Sequence, residues 1–244
     1  MAASVGSQCL DCLRTSLPKP AERVKRWNAT HLRLVTMTLI AINVVVYVVG
    51  VAQSTGGGLV GRNRQAIEYG LFGPAVADGE WYRLVTSGFI HAGLLHVALN
   101  MLVIWIAGAQ LEPALGRIRF GLLYFASLLA GSAGALLVSP DVLTVGASGA
   151  AFGLIAALAV GMHQRGINIW RTGIGTLLII NLVFTFAAPG ISVGGHVGGL
   201  IGGGLAGYVL LKVRRPGVAS SPVDLVAPLA VIALSLAVSW IAVT

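Results

Sequence analysis

Seven predominantly apolar runs divide this chain, at roughly 32–52, 93–111, 118–138, 148–163, 168–187, 193–211 and 224–243. Most are close to the ~20 residues that a membrane-crossing helix needs. A hydrocarbon layer offers backbone N–H and C=O groups no water, so such runs must satisfy their own hydrogen bonds as helices. The expected fold class is all-α, a polytopic membrane helix bundle. Only 10% of the residues are charged, against about a quarter in a soluble domain. The 33 glycines suit helices that approach closely in lipid, where small residues let backbones touch. The first 31 residues are polar and basic with no apolar core, so no cleavable signal peptide is expected.

The net charge of +8 invites a nucleic-acid reading, but the distribution of the charge argues for topology instead. With the N-terminus inside, the cytoplasmic side receives Arg14, Lys19, Arg23, Lys25, Arg26 and Arg33, then Arg117, Arg119, Arg165, Arg171, Lys212, Arg214 and Arg215. The outside keeps only Arg62, Arg64 and Arg83. Thirteen against three is a positive-inside pattern. It predicts a cytoplasmic N-terminus and an external C-terminus, with anionic lipid rather than nucleic acid as the partner of the basic charge. An Ala/Gly/Val-rich composition suggests a bacterial plasma membrane as the location.

Four regions follow. Residues 1–31 form a cytoplasmic tail, 32–211 a six-helix core, 212–223 a cytoplasmic linker, and 224–244 a seventh span that looks appended to the core. Inside the core, residues 53–90 make an external loop of 38 residues, too long for a plain turn and of a kind that often carries function. The fourth run has sixteen residues, about 24 Å of helix against ~30 Å of hydrocarbon. One of its ends should therefore lie below the membrane surface. The loop before it must descend to meet that end, and backbone at such depth is tolerated only in protein or around a watery cavity.

In this topology the second, fourth and sixth spans all run inward. Ser148 opens the fourth, His196 opens the sixth, and His96 and Asn100 lie in the first turns of the second. Polar groups from three helices thus converge on one outer-leaflet layer. Such groups are costly in a membrane and point to function; a hydroxyl beside an imidazole can form a nucleophile and its general base. Glycine spacing supports their approach. The fourth helix carries Gly149, Gly153, Ala157 and Gly161, and the sixth Gly195, Gly199, Gly203 and Gly207, each at i,i+4. The competing reading makes these packing motifs only, with Ser148 a helix N-cap; it leaves the intramembrane histidine unexplained.

None of the eight carboxylates lies in the outer half of a helix, and only Asp141 stands near Ser148. A Ser148–His196 dyad is therefore expected, with His196 oriented by packing and local hydrogen bonds. Acyl transfer also needs donors for the oxyanion. The first N–H groups of the fourth helix lack intrahelical partners, and His96 and Asn100 add side-chain donors. The alternative for this pair is polar glue between helices. His91, five residues before His96 on a different face, reads as a structural hydrogen-bonder.

Trp81-Tyr82-Arg83, His91 through His96 to Asn100, Gly146-Ala147-Ser148-Gly149, and His196-Val197-Gly198-Gly199 with Gly203 occur in an order that resembles the rhomboid family of intramembrane serine proteases, over residues 69–211 or so. The resemblance implies a six-plus-one helix layout, Ser148 as nucleophile, His196 as base, and an oxyanion site from His96, Asn100 and the Ser148 N–H. It implies membrane-protein substrates cut near the outer face and no cofactor. Phe152 stands where the family often has a tyrosine beneath the histidine, which keeps a ring and loses a hydroxyl. Trp81 and Arg83 would brace the first loop; an ordinary interfacial anchor with a snorkelling arginine is the alternative. Phe184 and Phe186 fit either a lateral gate or plain lipid contact. His163 and His31 read as bystanders.

Cys9 and Cys12 form a lone CxxC. A structural zinc site needs four ligands, and His31 is the only other histidine or cysteine in the tail, so metal is a weak reading. Two rival functions fit the sequence less well. A small-solute transporter would suit Gly-rich helices, but no inverted repeat is visible and the polar residues share one depth. A non-catalytic rhomboid-like binder of membrane helices would be expected to lack Ser148 or His196. There is no H-E-x-x-H motif, no intramembrane aspartate pair, and Ala150 stands where a G-x-S-x-G elbow needs glycine.

Overall fold

Helices dominate the computed structural model, which describes residues 33–53, 64–212 and 221–244. Seven apolar helices match the seven runs: α1 Leu34–Gln53, α2 Leu94–Leu115, α3 Arg117–Val138, α4 Ser148–His163, α5 Ile174–Ala187, α6 Val193–Leu210 and α7 Val226–Val243, the last entered through a 3-10 turn at Pro222–Leu225. Five are long and apolar enough to cross a membrane, counting α7 with its entering turn; α4 and α5 are shorter, at 16 and 14 residues. The chain is thus a polytopic helical membrane bundle. One boundary differs from expectation. α5 begins at Ile174, not near 168, because Gly173 takes a left-handed φ of 78° that ends the preceding turns.

α3 and α4 form the centre, and α6 closes against both. The contacts are between backbones. A Cβ on Gly203 would lie 2.5 Å from the Gly153 carbonyl carbon, one on Gly207 would lie 2.5 Å from the Ala157 Cβ, and one on Gly199 would strike the Gly149 backbone. The two i,i+4 stripes therefore mesh, with the α6 stripe offset by one turn so that Gly199 meets Gly149 and Gly203 meets Gly153. α3 adds a third stripe that the sequence reading missed: a Cβ on Gly131 would sit 3.0 Å from both Gly149 Cα and Gly195 O, and Gly134 lies against Gly194 and Gly198. Large side chains take over on this face towards the start of α3, where Phe120, Leu123 and Tyr124 are fully buried with Ile104, Leu154 and Ile155.

At the far end of the bundle a buried carboxylate ties α1 to α2. Glu112 accepts hydrogen bonds from the Val35 N–H (2.9 Å), the Thr36 N–H (2.8 Å) and the Thr36 hydroxyl (2.6 Å). A carboxylate at a helix N-terminus satisfies orphan donors and meets the positive end of the dipole. Glu112→Ala is expected to destabilise the protein by about 3 kcal/mol, since hydrogen bonds to a buried charge contribute roughly 1.5–3 kcal/mol. Reversible unfolding in mixed detergent would measure it, and an unchanged midpoint would contradict this account.

The segment before α2 folds rather than looping freely. It forms short helices at Arg64–Tyr69, Gly73–Ala77 and Arg83–Thr86, then a 3-10 turn at Ser87–Phe89. Arg83 is 7% exposed and donates to the Ile67 and Gly70 carbonyls at 2.8 and 2.7 Å, while pairing with Glu80. Hydrogen bonds from Arg83 and Tyr82 hold the Glu80 carboxyl below the usual carboxylate range. Arg83 is thus a brace and not a snorkelling side chain. The loop is also stitched to the α3–α4 connection. Leu71 and Thr144 exchange backbone hydrogen bonds at 2.9 and 2.8 Å, and the Gly73 N–H donates to Pro140 O at 2.8 Å. α7 lies on α3, and its Trp240 stacks on Trp81 with ring centroids 5.6 Å apart. The seventh helix is therefore docked to the first loop as well as to the core.

Candidate active site

Ser148 is the first residue of α4, and the connection that delivers it is held from three sides. Gly146 has φ of +121°, and a Cβ there would meet His96 Nε2 at 2.6 Å, so the position needs glycine twice over. Its N–H donates to the Ser87 carbonyl at 2.9 Å. The Ala147 N–H points at His91 Nε2, 3.4 Å away. His91 is 2% exposed and edge-on to His96 at 5.0 Å. The N-cap of α4 is Ala147, with no side-chain cap bond, so the capping role open to Ser148 is not taken up.

His196 sits in the first turn of α6, whose start is fixed by Ser192 accepting from the Gly195 N–H at 3.1 Å. Its ring stacks on Phe152, with centroids 4.2 Å apart and planes 21° from parallel. Phe152 lies one turn beyond Ser148 on the same face of α4. The flanking glycines meet as well, Gly149 against both Gly195 and Gly199. Backbone packing and ring stacking together bring the imidazole to the N-terminal turn of α4. On its other side, His196 Nδ1 lies 2.7 Å from the Thr185 hydroxyl of α5.

His96 and Asn100 face Gly146 from α2, with Asn100 Nδ2 at 3.6 Å from a Cβ built there. Asn100 is 6% exposed, and its Nδ2 has no hydrogen-bond partner. An orphaned buried donor costs free energy unless something outside the resting protein uses it. Together with the unpaired N–H groups of the first turn of α4, these donors surround one point next to Ser148. On the α3 side of Ser148 lies a small cavity of about 20 Å³, lined by Ser148, Gly149, Gly195, Ser192 and Ser132 but not by His96, Asn100 or His196; that is space on the order of a water molecule.

Other expectations resolve as follows. Gly203 belongs to the α4–α6 seam, away from the polar groups. Asp141 is exposed in its loop, and the group facing Nδ1 is Thr185. Phe184 and Phe186 are 60% and 68% exposed on α5; Phe186 borders an open apolar groove with Ile179, Leu182 and Val183. His163 is exposed. Cys9, Cys12 and His31 lie outside the described residues. Thr185 was missed by sequence reasoning, although a hydroxyl within an apolar helix eleven residues before the histidine was a visible signal.

A half-buried hydroxyl beside a water-sized cavity, an oriented imidazole and nearby N–H donors form a set suited to acyl transfer. Comparison with known proteins points the same way. The family model described as Rhomboid domain matches residues 78–213, which include every one of these groups. The chain is 41% identical over 138 residues to Rhomboid protease GluP of Bacillus subtilis, covering 55% of this chain and 27% of that protein. It is 36% identical over 144 residues to Putative rhomboid protease YdcA of the same organism, covering 57% of this chain and 72% of that protein. RHOMBOID-like protein 4 of Arabidopsis thaliana is 34% identical over 143 residues, covering 56% and 36%. The chain thus spans about a quarter to three quarters of the length of these relatives.

Proposed function

This chain belongs to the rhomboid family, and from that premise we propose that it is an intramembrane serine protease, hydrolysing peptide bonds in or near transmembrane helices of membrane-protein substrates. The observation that carries the reading is the His196 ring stacked on Phe152, one turn from Ser148, with the unpartnered Asn100 amide and His96 gathered at Gly146. A structural role accounts for the packing but not for an orphaned donor and an imidazole at the same helix N-terminus.

In the proposed reaction the Ser148 Oγ lone pair forms a bond to the scissile carbonyl carbon, its proton passes to His196 Nε2, and the carbonyl π pair moves onto oxygen. His96, Asn100 and the Ser148 N–H stabilise that oxyanion. Collapse of the tetrahedral adduct expels the amine, which takes the proton from His196. Water then repeats the sequence on the acyl-enzyme and releases the carboxylic acid and free serine. The cavity beside Ser148 is narrow and walled by Gly149, Gly195 and small hydroxyls, which favours a small side chain on the acyl side of the cleaved bond. The thirteen-to-three distribution of basic residues favours a cytoplasmic N-terminus, which puts this site in the outer leaflet.

A fluorophosphonate probe tests the reading directly. Wild-type protein in detergent is expected to be labelled at Ser148, and His196→Ala is expected to slow labelling by about 10²-fold or more, the scale of general-base assistance. Equal labelling of the two proteins would remove His196 as the base. Absence of wild-type labelling, with no cleavage of a transmembrane substrate, would favour a non-catalytic membrane-helix binder.

A further inference from the structure

We propose that Thr185 of α5 is a positioning residue that sets the tautomer of His196, so that a neutral hydroxyl stands where serine hydrolases often place a carboxylate. The inference rests on reading Ser148 and His196 as nucleophile and base. Thr185 is 2% exposed, and the other buried residues of α5, Ile174 and Gly175, lie at the opposite end of that helix. At the end near the site, Thr185 is the one fully buried residue of α5, with Asn181 and Leu182 half-buried beside it.

Proton counting fixes the direction of the hydrogen bonds. Thr185 Oγ1 lies 2.7 Å from the Asn181 carbonyl and 2.7 Å from His196 Nδ1. A hydroxyl has a single proton, and a carbonyl can only accept. Two oxygens 2.7 Å apart would repel without a proton between them, so the hydroxyl donates to Asn181 O. Its lone pair then accepts from His196 Nδ1–H. A neutral imidazole with its proton on Nδ1 carries the free lone pair on Nε2, the nitrogen that must receive the Ser148 proton. The stack on Phe152 holds the plane of the ring but is nearly indifferent to which nitrogen lies where; Thr185 distinguishes them. When Nε2 is protonated, the Nδ1–H bond becomes charge-assisted and stronger, while the Thr185 hydroxyl goes on donating to the Asn181 carbonyl. No carboxylate takes part, and Asp141 is exposed.

Thr185→Val keeps the shape and removes the hydroxyl, and Thr185→Ser restores the hydroxyl on a smaller side chain. The Val variant is expected to lower kcat about tenfold with KM unchanged and a modest fall in thermal midpoint from the orphaned Nδ1–H, and Ser is expected to recover most of both losses. An unchanged kcat in the Val variant would overturn the proposal. An independent measurement uses 15N-histidine-labelled protein above neutral pH, with the His196 signals identified by their absence from His196→Ala. Protonated Nδ1 and unprotonated Nε2 are expected, in wild type and in Ser148→Ala alike; the reverse tautomer would overturn the proposal even if the Val variant fails to fold. Because the tautomer is read without turnover, its failure in an active protein removes only Thr185, whereas an inactive wild type removes the protease reading.

Discussion

Ser148→Ala is expected to abolish cleavage of a transmembrane substrate, with a fall in kcat of roughly 10⁴-fold or more, the scale on which removal of a catalytic nucleophile acts. Its stability should change by less than about 0.5 kcal/mol, as for substitutions away from core and caps, because Ala147 and not Ser148 occupies the cap position of α4. That separation gives the test its force. An inactive variant with an unaltered unfolding curve identifies a reacting group, whereas an inactive and unfolded one would identify a structural residue. Cleavage at the wild-type rate would exclude Ser148 as the nucleophile.

Gly199→Ala should be the most damaging change that touches no polar group. The added methyl would sit 2.7 Å from the Gly149 carbonyl carbon and 2.9 Å from its Cα, atoms that cannot move without parting α4 from α6. Overpacking of this kind costs about 1–3 kcal/mol. The functional loss should be larger than the stability loss, because this contact lies beside Ser148 and one turn from His196; a displacement of about 1 Å can cost on the order of 10²-fold in rate. Gly204→Ala is the matched control, since its Cβ would meet only the Ala156 methyl at an ordinary 3.7 Å. Assaying cleavage and unfolding for both variants tests the seam; equal activity would mean that the helices tolerate separation.

That the two stripes can pack was legible in the sequence because i,i+4 spacing is a property of one helix at a time. The pairing of Gly199 with Gly149 and Gly203 with Gly153 was not, because spacing leaves the offset between helices open. A common layer for Ser148, His196, His96 and Asn100 was an expectation of a related kind: charge distribution and segment order predict helix direction without any tertiary contact. The alternatives for Trp81 and Arg83 were not separable, because an exposed aromatic anchor and a buried brace have the same composition; only the carbonyls of Ile67 and Gly70 around the guanidinium decide. The start of α5 was misplaced because Ile167, Ile169 and Trp170 extend the apolar run, while the backbone turns at Gly173 and Trp170 folds against Gly175.

Composition and spacing by themselves determined that this chain forms membrane helices and which small residues can face each other. Tertiary structure alone decided that α3 supplies the third glycine stripe, that the first loop is stitched to the Ser148 connection through Leu71 and Thr144, and that α5 brings Thr185 to His196. The physical reason is the solvent. In water an apolar stripe marks the buried face of a helix, but lipid is as apolar as the protein interior, so hydrophobicity carries no direction across a membrane helix. Which neighbour a helix meets is then settled by close backbone fit and a few hydrogen bonds, and those exist only once the helices are assembled.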